Sequence, residues 1–277
     1  MSTITVNTTA DDTSPDTTLS LREAIEVSNG TLPVSSLSTH EQAQVSGPVG
    51  STNTIDFNIP KTDPGYNPAT GVWTITPQTQ SQGELPTISN NAAIIDGYSQ
   101  PGASKNTLAV GDNAKLAVAI NGSQTGTDGL MINQPGTKVF GLDIENFGQV
   151  GEGVVIYKAT DVQIAGCFIG VDPTGETAAP DGNGVLIYNS SNIIGGPNVG
   201  DRNVISGNYG DGINLPTGFY NPLKITQTAN VTENNYIGLD ATGTKAIMNH
   251  GYGVDDFGSG DTYGGTTPGT GNVISGN

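Results

Sequence analysis

The chain has 277 residues, 13% of them charged, with a formal net charge of −17. This acidity argues against nucleic acid or an anionic membrane surface as a partner, because both would repel the chain. The chain has a single cysteine, so no internal disulfide can form. With one cysteine and two histidines in all, a conventional zinc site is ruled out. No apolar run is as long as the about 18 residues that a membrane span requires.

The first 127 residues predict one helix among irregular strands. Residues 3–7 alternate as a strand does, and Ser20 with Glu23 forms a capping-box pattern that predicts a helix over residues 21–28. Arg22 is expected to make an ion pair on the surface of that helix. Two long excursions, at residues 60–70 and 98–114, are of the length at which binding sites are built.

From residue 128 the chain repeats. A Gly-x-Gly marker followed by an aliphatic residue occurs at 151–154, 182–185, 210–213 and 251–254, with a degenerate copy at 128–130, and most of 170–208 returns at 238–277. After each marker the apolar residues alternate, which predicts strands with one buried face. Short strands stacked as similar units indicate a parallel β-solenoid, in preference to an antiparallel sandwich.

Three motifs carry a family resemblance. The NVISGN segments at 203–208 and 272–277, the IGxDxTG segments that begin at Ile169 and Ile237, and SLREAI at 20–25 resemble those of bacterial right-handed parallel β-helix repeat proteins. Many of these are secreted or attached to the cell surface, including relatives of the polymorphic outer-membrane, adhesin-like family. The resemblance implies an all-β, right-handed parallel β-helix with a short N-terminal capping helix, placed outside the cell or on its surface. Leu19 stands where those relatives carry Cys, so their N-terminal disulfide is not expected.

The predicted organisation is a single elongated domain over residues 1–277. Residues 1–30 form the first strand and capping helix, 31–127 irregular first coils with long loops, and 128–277 regular repeat coils. The last motif ends at Asn277, so we expect further repeats in a longer chain, and an open last coil would allow self-association. The segment after Met1 is polar, so any leader for secretion is expected to be missing from this chain.

Catalytic candidates are few. Asp255 and Asp256 are adjacent, and residues 252–256 faintly resemble the catalytic motif of alginate epimerases, although that family's histidine is absent and the repeat itself explains Gly253. Strand alternation predicts that Asp255 points outward and Asp256 the opposite way. Lys224 is a candidate base for uronate elimination.

Aromatic and acidic residues recur at fixed repeat positions. Tyr157, Tyr188 and Phe257 each lie four residues after a marker glycine, which predicts an outward row that grips sugar rings or, alternatively, a ladder that supports neighbouring coils. Asp172 and Asp240 begin equivalent turns, where they would bind calcium or cap their own backbone. We expect no other cofactor.

These patterns predict a non-catalytic extracellular module, adhesin-like or a stalk that contacts polysaccharide or a cell-surface glycan. The alternative is a polysaccharide-active enzyme, either a lyase, a glycoside hydrolase or a uronate epimerase. An enzyme would gather at least two acids with a Lys, Arg or His on one exposed face.

Overall fold

Short strands of two to six residues make up most of the regular structure. The computed structural model describes residues 1–78, 83–217 and 220–277. The strands are β1 (Thr3–Val6), β2 (Val45–Ser46), β3 (Thr52–Phe57), β4 (Tyr66–Asn67), β5 (Val72–Ile75), β6 (Ala92–Asp96), β7 (Val118–Asn121), β8 (Leu130–Ile132), β9 (Lys138–Phe140), β10 (Asp143–Glu145), β11 (Val154–Ile156), β12 (Gln163–Ala165), β13 (Phe168–Ile169), β14 (Val185–Ile187), β15 (Ile193–Gly195), β16 (Val204–Ile205), β17 (Ile213–Leu215), β18 (Val231–Glu233), β19 (Tyr236–Ile237), β20 (Val254–Asp256), β21 (Thr262–Tyr263) and β22 (Val273–Ile274).

The strands form three sheets. The first sheet has the order β2-β1-β3-β6-β9-β12-β15-β18-β21, the second β4-β5-β7-β10-β13-β16-β19-β22, and the third β8-β11-β14-β17-β20. From β6 onward, successive strands enter the first, second and third sheets in rotation, so each strand pairs in parallel with the strand three places along the chain. We call three such consecutive strands a layer.

The Gly-x-Gly marker is explained by the closeness of the layers. A Cβ atom on Gly184 would lie 2.7 Å from the carbonyl oxygen of Gly212, and one on Gly212 would lie 2.6 Å from that of Gly253. No side chain fits at these distances. The repeat therefore keeps glycine where consecutive layers touch backbone to backbone.

The residues that directly precede the second glycine of each marker form a hydrogen-bonded ladder between layers; in the degenerate copy this residue is Asp128, before Gly129. Asp128 Oδ1 accepts from the backbone N–H of Glu152 at 2.9 Å, and Glu152 in turn accepts from that of Asn183. Asn183 Oδ1 then accepts from the N–H of Asp211 at 2.7 Å, and Asp211 Oδ1 from that of Tyr252 at 2.6 Å. Each side chain thus satisfies a backbone donor that the turn leaves without a strand partner.

The asparagines of the NVISGN motif also stack between layers. Asn203 Nδ2 donates to Asn235 Oδ1 at 2.8 Å, and Asn235 Nδ2 donates to Asn272 Oδ1 at 3.0 Å. A second column contains Asn208, Asn249 and Asn277. Both motif asparagines of the first copy are fully buried, so each column satisfies polar atoms that have no access to water.

Apolar side chains fill the space between the sheets. One core cluster runs from Ile4 in β1 to Ile237 in β19. A second cluster, around Phe168, Val204 and Tyr236, covers the outer face of the second sheet. In β3 and β8 the buried positions alternate along the strand, whereas every residue of β10, β11 and β14 is buried.

The N-terminal helix α1 (Leu21–Asn29) lies where the sequence predicts it. The hydroxyl of Ser20 accepts from the N–H of Glu23 at 3.1 Å, Glu23 Oε2 accepts from the N–H of Ser20 at 2.9 Å, and Gly30 ends the helix with φ 73°. The helix packs against β1, β3 and β6. The described residues also form α2 (Thr39–Gln42) and 3-10 turns at Val34–Ser36, Gly97–Ser99 and Val199–Asp201. Within the described ranges, no helix is long and apolar enough to cross a membrane.

The prediction that Arg22 makes an ion pair on the surface of helix α1 is wrong. Its guanidinium pairs with Asp11 at 2.8 Å, and the two side chains are only 4% and 2% exposed. Arg22 Nη1 and Nη2 also donate to the carbonyl oxygens of Glu84 and Gly83, at 2.6 and 2.9 Å. The pair is therefore a buried tie between the helix and two distant segments, which local periodicity could not reveal.

The predicted fold class, an all-β, right-handed parallel β-helix with a capping helix, is corrected. The structure is mixed α/β, with three sheets of mostly parallel strands and about 8% helix. Two strand pairs, β1 with β2 and β4 with β5, are antiparallel. Alternation of apolar residues shows which segments are strands and which face is buried, but it contains no information on the short helical turns in the loops or on the path between strands.

Candidate functional site: the outer face of the third sheet

The middle residues of the third-sheet strands form one outward row. Met131, Val155, Leu186, Asn214 and Asp255 are in register from β8 to β20. In β11 the flanking residues Val154 and Ile156 are fully buried in the core, and Val155 itself is only 3% exposed, whereas all three residues of β20 are partly exposed. We call the surface around this row the sheet-3 face.

The predicted aromatic residues lie beside this row. Tyr157 and Tyr188 follow β11 and β14, and their backbone N–H groups donate to the carbonyl oxygens of Ile132 and Ile156 at 2.9 and 2.8 Å. Their rings pack edge to face, with centroids 5.7 Å apart and planes at 88°. The ammonium of Lys158 lies 5.3 Å from the centre of the Tyr157 ring. This geometry holds both tyrosine rings in fixed orientations on the sheet-3 face.

Two cavities open on the sheet-3 face. The smaller, of about 270 Å³, is lined by Asp128, Met131, Glu152, Val155, Tyr157, Leu186, Tyr188 and Pro222. The larger, of about 560 Å³, is lined by Asn214, Pro216, Thr217, Tyr220, Asp255 and Phe257. Phe257 is 57% exposed, so its ring is open to a ligand. The structure therefore brings the predicted aromatic residues and Asp255 to one surface, in two neighbouring segments.

Carboxylates surround the smaller cavity. Both oxygens of Glu152 accept from Asn183, one from its N–H and the other from its side-chain amide at 3.1 Å. Burial raises the pKa of Glu152, with Asp128 and Asp211 contributing, and burial also raises the pKa of Asp128. These acids hold the layers together and make the rim of the cavity negative.

Asp255 and Asp256 have different surroundings. Asp255 lines the larger cavity, where partial burial, followed by the charges of Asp211 and Asp256, raises its pKa. Asp256 is in register with Leu215 and accepts from the hydroxyl of Tyr263 at 2.7 Å and the N–H of Gly258 at 2.6 Å. The two carboxylates therefore do not converge on one cavity as a catalytic pair would.

Lys224 is outside the described lining of both cavities. It lies in the loop between β17 and β18, with φ 57°, and its N–H donates to the carbonyl oxygen of Asn221 at 2.9 Å. It is not among the described residues that line the two cavities of the sheet-3 face. Of the two catalytic candidates Lys224 and Asp255, only Asp255 is among the described residues that line a cavity of the sheet-3 face.

The two predicted calcium ligands accept hydrogen bonds from their own turns. Asp172 Oδ1 accepts from the hydroxyl of Thr174 at 2.6 Å. Asp240 accepts from the N–H groups of Thr244 and Lys245, each at 3.0 Å, and these and other hydrogen bonds lower its pKa despite burial. Across residues 1–78, 83–217 and 220–277, no three His, Cys, Asp or Glu side chains are grouped to hold a metal ion. The geometry favours the turn-capping alternative.

Sequence reasoning missed several cavity residues. Asn214, Thr217 and Tyr220 line the larger cavity. Asn214 follows a marker directly and is in register with Asp255, whereas Thr217 and Tyr220 lie after β17 with no repeat signature. Asp128 and Glu152 could have been found from the sequence, since each directly precedes the second glycine position of a marker. Thr217 and Tyr220 left no such signal, because the sequence after β17 carries no periodic pattern.

Comparison with known proteins gives no relative: no family model, no curated protein and no solved structure matches this chain.

Proposed function

We propose that this chain is a non-catalytic module that binds a neutral polysaccharide along the sheet-3 face. The observation that carries the proposal is the fixed edge-to-face pair of Tyr157 and Tyr188, beside a cavity on the same surface as Phe257. Sugar rings pack their C–H faces against aromatic rings, and rigid rings lose little entropy on binding. That the module works outside the cell is a further part of the proposal, which rests on the resemblance of residues 20–25.

The charge of this surface favours a neutral glycan. Asp128 and Glu152 line the smaller cavity and Asp255 the larger one, in a chain with net charge −17. An anionic polymer would be repelled, whereas hydroxyl groups can donate hydrogen bonds to carboxylate oxygens. The acids therefore act as acceptors for sugar hydroxyls.

The state of these acids favours binding over catalysis. Glu152 already accepts hydrogen bonds at both oxygens, and Asp256 is engaged by Tyr263 and Gly258. Asp255, whose pKa is raised, is the feature that favours the second candidate, a glycoside hydrolase in which it would be the acid. Such an enzyme needs a second carboxylate across the scissile bond, and Asp255 is the one carboxylate among the described residues lining its cavity.

Affinity electrophoresis against a panel of neutral and acidic polysaccharides tests the proposal. Neutral polymer should retard the chain, and Tyr157→Ala or Tyr188→Ala should weaken that binding about tenfold, since stacking contacts are worth about 1 kcal/mol or more. Tyr209→Ala is the matched control: Tyr209 is 44% exposed and stacks on His250 at 6.2 Å. The control should bind as the parent does.

Two results would contradict the proposal. Equal retardation of the parent and both tyrosine variants would remove the sheet-3 face as the binding surface. New reducing ends, produced by the parent and lost in Asp255→Asn, would establish the hydrolase instead.

A further inference from the structure

A third cavity, of about 570 Å³, lies on the outer face of the second sheet, away from the residues of the sheet-3 face. It is lined by residues of the two long excursions, 60–70 and 98–114, by the residues that directly follow each of them, and by the turn at 172–174. Its volume is within the range of about 300–1,000 Å³ that small-molecule sites occupy. The excursions in which the sequence placed a potential binding site thus meet around one space.

One wall of this cavity is aromatic. Tyr66 in β4 pairs with Trp73 in β5, and their ring centroids are 4.5 Å apart with planes at 36°. Trp73 is only 2% exposed, and its Nε1–H donates to the carbonyl oxygen of Pro60 at 3.0 Å. The wall is therefore fixed before any ligand arrives.

Two of the chain's nine basic residues line the cavity. The ammonium of Lys61 lies 5.8 Å from the centre of the Tyr66 ring. The backbone of Lys115 is held by Ser104, to which it donates at 2.8 Å and from which it accepts at 3.0 Å. The one acidic residue among the described lining residues is Asp172, whose carboxylate accepts from Thr174. In a chain of net charge −17, this cavity is a local site of positive charge.

Hydrogen bonds tie the second excursion to the residue before the first, and the first excursion to the N-terminal segment. The side chain of Gln100, 1% exposed, accepts from the N–H of Ile59 at 2.8 Å and donates to its carbonyl oxygen at 3.0 Å. Asp63 accepts from Gly65 and from the hydroxyls of Thr8 and Thr9. The cavity is thus built from both excursions, and its shape does not depend on one loop.

We propose that this cavity binds a uronate unit of an acidic oligosaccharide. Lys61 and Lys115 supply the positive charge that a sugar carboxylate needs, and the Tyr66 ring supplies an apolar surface for the sugar's C–H face. Thr70 is an exposed residue of the lining, and its hydroxyl can form hydrogen bonds with the sugar's hydroxyl groups. This site differs in charge from the sheet-3 face and does not depend on the proposed function of that face.

Tryptophan fluorescence of the whole chain provides the test, because Trp73 is the single tryptophan and lines this cavity. Titration with a galacturonate trimer should change the emission and give a dissociation constant that rises with salt. A neutral galactose trimer should give no comparable change. Lys61→Gln and Lys115→Gln should each weaken binding of the galacturonate trimer about tenfold, the effect of losing one charge-assisted hydrogen bond.

Lys245→Gln serves as the control, since it removes one exposed positive charge in the turn after β19 and should leave the titration unchanged. The proposal is overturned if the two trimers bind equally, if neither binds, or if the lining lysine variants behave like the control. Tighter binding of benzoate than of galacturonate would overturn the assignment to a sugar. Tyr188→Ala should not affect this titration, so failure here and failure of the sheet-3 proposal are separate results.

Discussion

Asn249 and Asn208 occupy the same position in consecutive layers, and one side-chain oxygen joins them. Asn249 Oδ1 accepts from the backbone N–H of Asn208 at 3.1 Å and from its side-chain amide at 2.8 Å. The amide of Asn249 donates onward to Ile205 and Asn277, at 3.1 and 2.7 Å. A single buried amide therefore serves three layers of the stack.

Asn249→Ala should lower the free energy of unfolding by about 2–3 kcal/mol, because it leaves two donors of Asn208 buried without an acceptor. Urea denaturation measures this loss. Asn58→Ala, at an exposed position, is the matched control and should change stability by less than about 0.5 kcal/mol. Equal losses for both variants would show that the column does not hold the layers together.

Gly212→Ala should be destabilising through steric overlap alone. The added methyl would lie 2.6 Å from the carbonyl oxygen of Gly253 and 2.7 Å from a methyl of Ile237, so neighbouring layers must separate. We expect a loss of about 1–3 kcal/mol, the usual range for overpacking. Gly126→Ala, where no atom lies within 4 Å, should be close to neutral in the same thermal unfolding measurement.

Ionisation of the Asp143 carboxyl should lower the free energy of unfolding as pH rises. This carboxyl is fully buried, and neither oxygen has a hydrogen-bond partner among the described residues. Burial, followed by the charges of Glu145, Asp181 and Asp172, raises its pKa well above the ordinary value of 3.8. Because the folded state holds the proton more tightly than the unfolded state, its stabilisation is complete below 3.8 and is lost as pH rises through the folded pKa.

Asp143→Asn should remove part of this dependence. The melting temperature of the variant, measured by calorimetry from acid to alkaline pH, should exceed that of the parent at alkaline pH and approach it in acid. Glu176→Gln removes an exposed charge and controls for the change in net charge. If the melting temperatures of the parent and Asp143→Asn change with pH in parallel, ionisation of this carboxyl does not destabilise the folded state.

Arg22→Ala should cost about 3–5 kcal/mol, since it leaves the carboxylate of Asp11 buried without its partner. The double variant with Asp11→Ala should lose less than the sum of the two single losses. Urea denaturation of the four chains in the cycle gives the coupling energy. Additive losses would show that the two side chains stabilise the protein independently.

The sequence predicted the local elements well and the site only in part. The capping box of α1 and the strands after each marker are where the patterns place them, because caps and alternation are local. The patterns also identified Tyr157, Tyr188, Phe257 and Asp255, which the structure brings to one surface. They did not predict the cavities, since these depend on loops with no periodicity.

The sequence alone revealed which positions repeat and where the strands after each marker lie, because contacts between equivalent positions of neighbouring layers require a repeated pattern. The mixed class of the fold, the burial of Arg22 with Asp11, the different surroundings of Asp255 and Asp256, and the contact of Gln100 with Ile59 became visible only in three dimensions. The contacts of Arg22 with Glu84 and of Gln100 with Ile59 join segments 62 and 41 residues apart in the chain. Their free energies depend on distances that no local pattern contains.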